Sequence, residues 1–148
     1  MKMYNRRSVL AYTTIFTLAV AATMPASAQQ KVDRKGAAST VKLQQVVSSH
    51  LTELNGKYKL LVSEVTYEPG GYTGEHHHVG PGIRYIVSGE LTFVEEGKTM
   101  VYKAGDYFYE AGNITNAAYN RSNAPVRIIN FEILPADWKG GSAVPPKK

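Results

Sequence analysis

From position 41 onward, apolar residues recur at every second place in short runs, and each run is closed by a turn-forming pair. Alternation at period two sends one side of each run to a core, and the runs are rich in β-branched and aromatic residues, as half-buried strands require. Strands are predicted over 41–47, 58–67, 74–78, 83–87, 91–95, 99–102, 107–109, 115–120 and 126–134. The breaks fall at Asn55-Gly56, Pro69-Gly70-Gly71, Gly80-Pro81-Gly82, Ser88-Gly89, Glu96-Gly97, Ala104-Gly105, Ala111-Gly112 and Ser122-Asn123-Ala124-Pro125. Many short strands at this spacing predict an all-β sandwich or barrel, and a jelly-roll barrel accommodates them with a cavity at its mouth. One helical turn is expected near 48–54, and no internal repeat is present.

The two ends break the pattern. Residues 1–28 read as an export signal: Lys2, Arg6 and Arg7 precede a mildly apolar run from Val9 to Met24, and Ala26-Ser27-Ala28 offers the small residues of a cleavage site. Arg6-Arg7-Ser8-Val9-Leu10 is similar to a twin-arginine signal, the other reading being an ordinary Sec signal with incidental arginines. Either way the mature chain is expected in the periplasm or outside the cell. Residues 29–40 are polar, charged and small, and are expected to form a flexible leader. The barrel then occupies 41–134. In the tail, 135–148, Trp138 is expected to clamp the chain onto the barrel or onto a partner subunit, with the last residues frayed.

Charge and composition narrow the function. The chain holds 17 basic and 12 acidic side chains. Three of the basic ones lie in the signal, so the rest carries 14 against 12, or +2. No basic run lies in the barrel, which argues against nucleic acid and against any membrane association beyond the export signal. With no cysteine, disulfides, thiolate metal sites and cysteine nucleophiles are excluded.

The chemistry concentrates in Gly74-Glu75-His76-His77-His78, which holds three of the four histidines. On a strand, His76 and His78 share a face and His77 takes the other, so two neutral imidazoles can grip one divalent ion. Gly70, His76, His78 and Gly89 fall at the spacing of the first motif of the cupin superfamily, which the chain resembles. The motif's glutamate is replaced by Gly82. The stretch from Gly97 through Ala104-Gly105-Asp106 and Glu110-Ala111-Gly112 to Asn120 resembles the second motif, with Glu110 in the usual place of a proline. Its histidine is replaced by Asn116, or by Thr115 on the alternative count.

The resemblance implies a double-stranded β-helix and a small-molecule site at the barrel mouth. The metal set it suggests is His76, His78 and Asn116, for iron, manganese, nickel or zinc, with Glu75, His77, Glu110 or His50 as candidates to complete the shell. If Gly82 faces inward, alternation turns Arg84 and Ile86 inward too, and the cavity is expected to become more positive and to favour an anionic or oxygenated organic ligand. The other register leaves Arg84 on the solvent face. The ligand-binding set is then Arg84, His76 and His78 as polar anchors, with Tyr107 and Tyr109 as aromatic walls. Two functions follow: an exported binding protein, or a metal-dependent dioxygenase, isomerase or lyase acting on a small organic acid or phenol. A third reading is a scaffold with no ligand. The resemblance also implies a homodimer formed through edge strands.

Overall fold

The computed structural model describes residues 31–146. The export signal predicted over 1–28 therefore lies outside the described residues. The strands are β1 (Arg34–Val46), β2 (Tyr58–His78), β3 (Gly82–Ser88), β4 (Glu90–Glu95), β5 (Lys98–Lys103), β6 (Tyr107–Glu110), β7 (Asn116–Tyr119), β8 (Val126–Pro135) and β9 (Ala143–Val144). Among the described residues there is no helix, and the turn expected near 48–54 is made instead by hydrogen-bonded turns between 52 and 57.

All the pairings are antiparallel and run in the order β5-β4-β7-β2-β8-β3-β6, with β1 and β9 added to β2. Strand β2 belongs to both walls of the barrel. Its first half lies between β1 and β8, and its second half pairs with β7 and then β9. The sequence predicts two strands here, separated at Pro69-Gly70-Gly71, but the chain bends without breaking. Gly70 adopts φ 73°, which only glycine accepts readily, and a Cβ on Gly71 would lie 2.8 Å from the Glu68 carbonyl oxygen. These glycines turn one strand around a barrel corner.

One terminal expectation is corrected. Residues 34–40, placed in the flexible leader, form the first half of β1 and pair with β2 from Glu64 to Thr73. An edge strand gains its order from main-chain hydrogen bonds along one side, so it needs no apolar period of its own. The tail is likewise tied down as far as β9, whose Ala143 and Val144 pair with His78 and His77. Trp138 is half-buried, donates from Nε1 to the Gly141 carbonyl at 3.1 Å, and its own carbonyl accepts from Lys59 Nζ at 2.7 Å.

The core holds Tyr67, Ile86, Leu91, Phe93, Phe108, Ala118, Val126 and Ile128. Phe108 stacks on Tyr102 with ring centroids 4.1 Å apart. Asn120, the closing residue of the second motif, is a purely architectural group. Its buried amide donates to the Tyr67 and Ala124 carbonyls, at 3.0 and 2.8 Å, and locks the turn before β8.

Candidate functional site

A cavity of about 370 Å³ occupies the barrel interior. Its polar end is lined by His76, His78, Arg84, Glu110 and Asn116, and its apolar end by Leu91, Phe93, Phe108 and Ile128. Arg34 of β1 and residues 140–143 of the tail also line it. That size suits a small organic molecule.

Strand parity decides who enters. In β2, His76 and His78 are buried while His77 faces the other way, where it pairs through its backbone with β9. In β3, Gly82, Arg84 and Ile86 all point inward, so the inward register of Arg84 is the one adopted. In β6, Phe108 and Glu110 point inward. Tyr107 and Tyr109 therefore face solvent, 65% and 60% exposed, and the expectation that they wall the cavity is corrected. The aromatic walls are instead Phe93, Phe108 and Tyr67, the last bonded through its hydroxyl to Thr73 Oγ1 at 3.0 Å. Burial raises the pKa of that hydroxyl, so it stays protonated.

The vacancy at Gly82 is filled from both sides. Glu110 of β6 and Glu132 of β8 are its register partners on the two neighbouring strands. Arg84 lies between these carboxylates, its Nε bonded to Glu110 Oε2 and its Nη2 to Glu132 Oε1 at 3.2 Å. A Cβ at position 82 would meet Arg84 Nη1, would lie 2.6 Å from the Phe131 carbonyl oxygen and 3.0 Å from Glu132 Cγ. Glycine is thus required here by space. The guanidinium faces two carboxylates, which offset its charge, while its buried Nη1, on the cavity lining, has no hydrogen-bond partner.

The imidazoles are held in a defined tautomer. His76 Nδ1 lies 2.8 Å from the Gly74 carbonyl oxygen, and His78 Nδ1 lies 2.8 Å from Glu132 Oε1. A carbonyl and a carboxylate only accept, so both Nδ1 atoms carry the hydrogen. The two Nε2 atoms are then left to face each other at 3.2 Å, a distance that one shared hydrogen would bridge. Burial, reinforced by the neighbouring His78, pushes the pKa of His76 down to about 3, which keeps that ring neutral. Burial alone would raise Glu132, but the hydrogen bond from His78 and the charge of Arg84 outweigh it and hold the carboxyl at about 2. Ser142 of the tail completes the array, donating to Glu132 Oε2 at 2.9 Å and lying 3.1 Å from His78 Nδ1.

Two imidazole nitrogens this close are joined either by a shared hydrogen or by a metal cation that replaces it, and further oxygens are close by. Glu110 Oε2 is 3.6 Å from His78 Nε2, and one ligand atom from each of His76, His78 and Glu110 lies within 4.8 Å of the others. Asn116, the register partner of His76, has a buried Oδ1 with no hydrogen-bond partner. Two imidazole nitrogens, a carboxylate and an orphaned amide oxygen form a donor set that fits a divalent transition ion. The His78–Glu132 contact is the outer hydrogen bond that such ligands commonly make. Glu75 is exposed and His50 lies on an exposed loop, so neither joins the cluster.

The sequence pattern alone leaves Glu132 unnoticed and treats Glu110 as one candidate among several. Placing Phe108 in the core is the signal that finds Glu110, because residue 110 then shares its face.

Residues 63–132 match the model of the cupin domain. No curated protein matches the sequence. An uncharacterised conserved protein with a double-stranded β-helix domain from Klebsiella pneumoniae superposes with a TM-score of 0.54, at 17% identity over 84% of this chain and 90% of that one. A cupin superfamily protein from Desulfitobacterium hafniense gives a TM-score of 0.52 at 10% identity, covering 71% and 84% of the two chains. A cupin domain from Bordetella pertussis gives 0.50 at 20% identity, covering 70% and 98%. At these identities the likeness is one of fold.

Proposed function

The chain carries a cupin domain, and from that premise we propose that it is an exported protein that binds a small oxygenated organic molecule at a divalent metal ion held by His76, His78 and Glu110, with Asn116 as a further donor. The observation that carries this reading is the pair of facing Nε2 atoms, each with its Nδ1 hydrogen committed elsewhere. A bound divalent ion supplies a Lewis acid that polarises a ligand oxygen.

The protein's own residues do the rest. Glu132 fixes the His78 ring, Arg84 holds both carboxylates in place, and the apolar end of the cavity accepts the carbon skeleton while excluding water. At the cavity Arg84 and Arg34 balance Glu110 and Glu132. A divalent ion would make the sum positive, so the loaded cavity suits a ligand with negatively charged oxygen.

A second reading, a metal-dependent enzyme acting on a small organic acid or phenol, gains from Glu110. The sequence motifs offer two histidines and an amide, which make a weak site. A buried carboxylate beside them supplies the third strong donor that catalytic metal sites use.

Elemental analysis of untagged protein tests both readings. We expect close to one iron, manganese, nickel or zinc per chain, lost in the His76→Ala, His78→Ala double variant. Protein that stays metal-free after incubation with each ion would overturn the metal site.

A further inference from the structure

Inside the barrel, register places Val41 of β1 beside Ser63 of β2, Ser63 beside Asn130 of β8, Asn130 beside Arg84 of β3, and Arg84 beside Phe108 of β6. All of these line the cavity, so one row crosses its wall with apolar residues at both ends and polar ones in the middle. The next inward row on one side, Val65 with Ile128, is apolar, and the next on the other side holds Glu132 and Glu110. Ser63 and Asn130 therefore lie between the apolar and the charged ends of the cavity.

Ser63 is 4% exposed and Asn130 9%, and among the described residues neither side chain has a hydrogen-bond partner, not even the other. Arg84 Nη1, in the same row, is unpartnered as well. The polar groups around them are already committed: the Tyr67 hydroxyl holds Thr73, and Arg84 Nε and Nη2 hold the two carboxylates. A buried hydroxyl and a buried amide without partners cost free energy, and apolar side chains at these inward positions would pack the barrel without that cost. Cavity water satisfies such groups, and a ligand that displaces the water must supply the same bonds.

We propose that Ser63 and Asn130 form a second, uncharged subsite that selects the ligand by a hydroxyl group, the ligand class being small carboxylic acids hydroxylated at a distance from the carboxylate. The inference rests on the reading of the cavity as a metal-dependent ligand site and assigns the far end of the ligand. A hydroxyl both donates and accepts, as a serine hydroxyl and a carboxamide do together, whereas a carboxylate only accepts and a methyl group does neither. Along β3 and β8 this row lies two residues from the one that holds Glu132 and Glu110, a rise of about 7 Å. That separation matches a hydroxyl on the fourth carbon of a chain, or across a ring from the carboxylate.

Isothermal titration of zinc-loaded protein with two pairs of acids matched in shape tests this: 4-hydroxybutyrate against pentanoate, and 4-hydroxybenzoate against 4-methylbenzoate. We expect the hydroxy acid of at least one pair to bind about tenfold more tightly than its methyl counterpart, the responding pair telling chain from ring. In the Ser63→Ala, Asn130→Leu variant that preference should vanish, while zinc content and affinity for the methyl acid stay as in wild type. Should the double variant not fold, Ser63→Ala alone should narrow the preference. Zinc-loaded wild type that binds both members of each pair equally, or a preference that survives the substitutions, would overturn the subsite and leave the metal reading standing. Protein that takes up no zinc, or zinc-loaded protein that binds none of the four acids, would overturn the reading on which the subsite rests.

Discussion

A histidine that offers Nε2 to a ligand needs its Nδ1 hydrogen anchored, and the anchor's strength sets how well the ring is oriented. For His76 that anchor is a main-chain carbonyl, which no substitution removes. For His78 it is Glu132, itself steadied by Ser142. We predict that Glu132→Gln weakens metal binding by about 10- to 100-fold, because the neutral amide accepts from Nδ1 less strongly and loses its pull on Arg84. Ser142→Ala should act in the same direction with a smaller effect, and His77→Ala should leave affinity unchanged. Competition against a chromophoric chelator measures all three, and wild-type affinity in Glu132→Gln would dismiss the anchoring role. The residue scale was also where the sequence spoke least evenly. His76 and His78 were legible because alternation along β2 orders them, and Arg84 was legible up to the choice of register on β3. Glu110 and Glu132 come from two other strands, and only the registers that set both opposite Gly82 bring them together.

Strands β3, β6 and β8 form a unit whose geometry depends on the missing side chain at position 82. Restoring the family's glutamate there should fail to strengthen the site. Its Cβ would collide with the Phe131 carbonyl and with Arg84, so we predict that Gly82→Glu loses at least the 1–3 kcal/mol typical of overpacking, read as a lower urea midpoint. A midpoint equal to wild type would show that the strands can part. The pairing of β2 with β8 carries a pH signature on its outer face. The hydrogen-bonded Arg127 guanidinium, and secondarily Lys42, lower the Glu64 pKa below its usual 4.5. A carboxylate whose folded pKa is depressed stabilises above its unfolded pKa, and that contribution is lost as pH falls through the folded value. Glu64→Gln should therefore reduce the urea midpoint at pH 7 and make little difference near pH 3, a small effect because the pair is in water. At this scale most of the fold was legible, since turn pairs mark strand ends whatever the tertiary context. Missed were the continuity of β2 through Gly70-Gly71 and the first half of β1, both decided by main-chain pairing, which leaves no trace in side-chain periodicity.

The barrel as a whole encloses one guanidinium, two carboxylates and two imidazoles whose Nε2 atoms face each other, all buried. Buried charges are tolerated when paired, and a metal ion would take the place of the hydrogen that the two Nε2 atoms share. Folding and metal binding are consequently coupled, because the donors come from β2, β6 and β7 and converge only in the closed barrel. A metal that binds the folded state alone stabilises it by about 2.7 kcal/mol when free ion reaches ~100 times its dissociation constant. For a domain of this size that corresponds to a rise in Tm on the order of 10 °C. Calorimetry of chelator-treated protein, with and without added zinc, should show this rise in wild type and none in the His76→Ala, His78→Ala variant. The variant's metal-free Tm should fall, since packing and the buried His78–Glu132 hydrogen bond are both lost. An equal zinc response in both proteins would place the bound ion elsewhere and detach the interior cluster from metal chemistry.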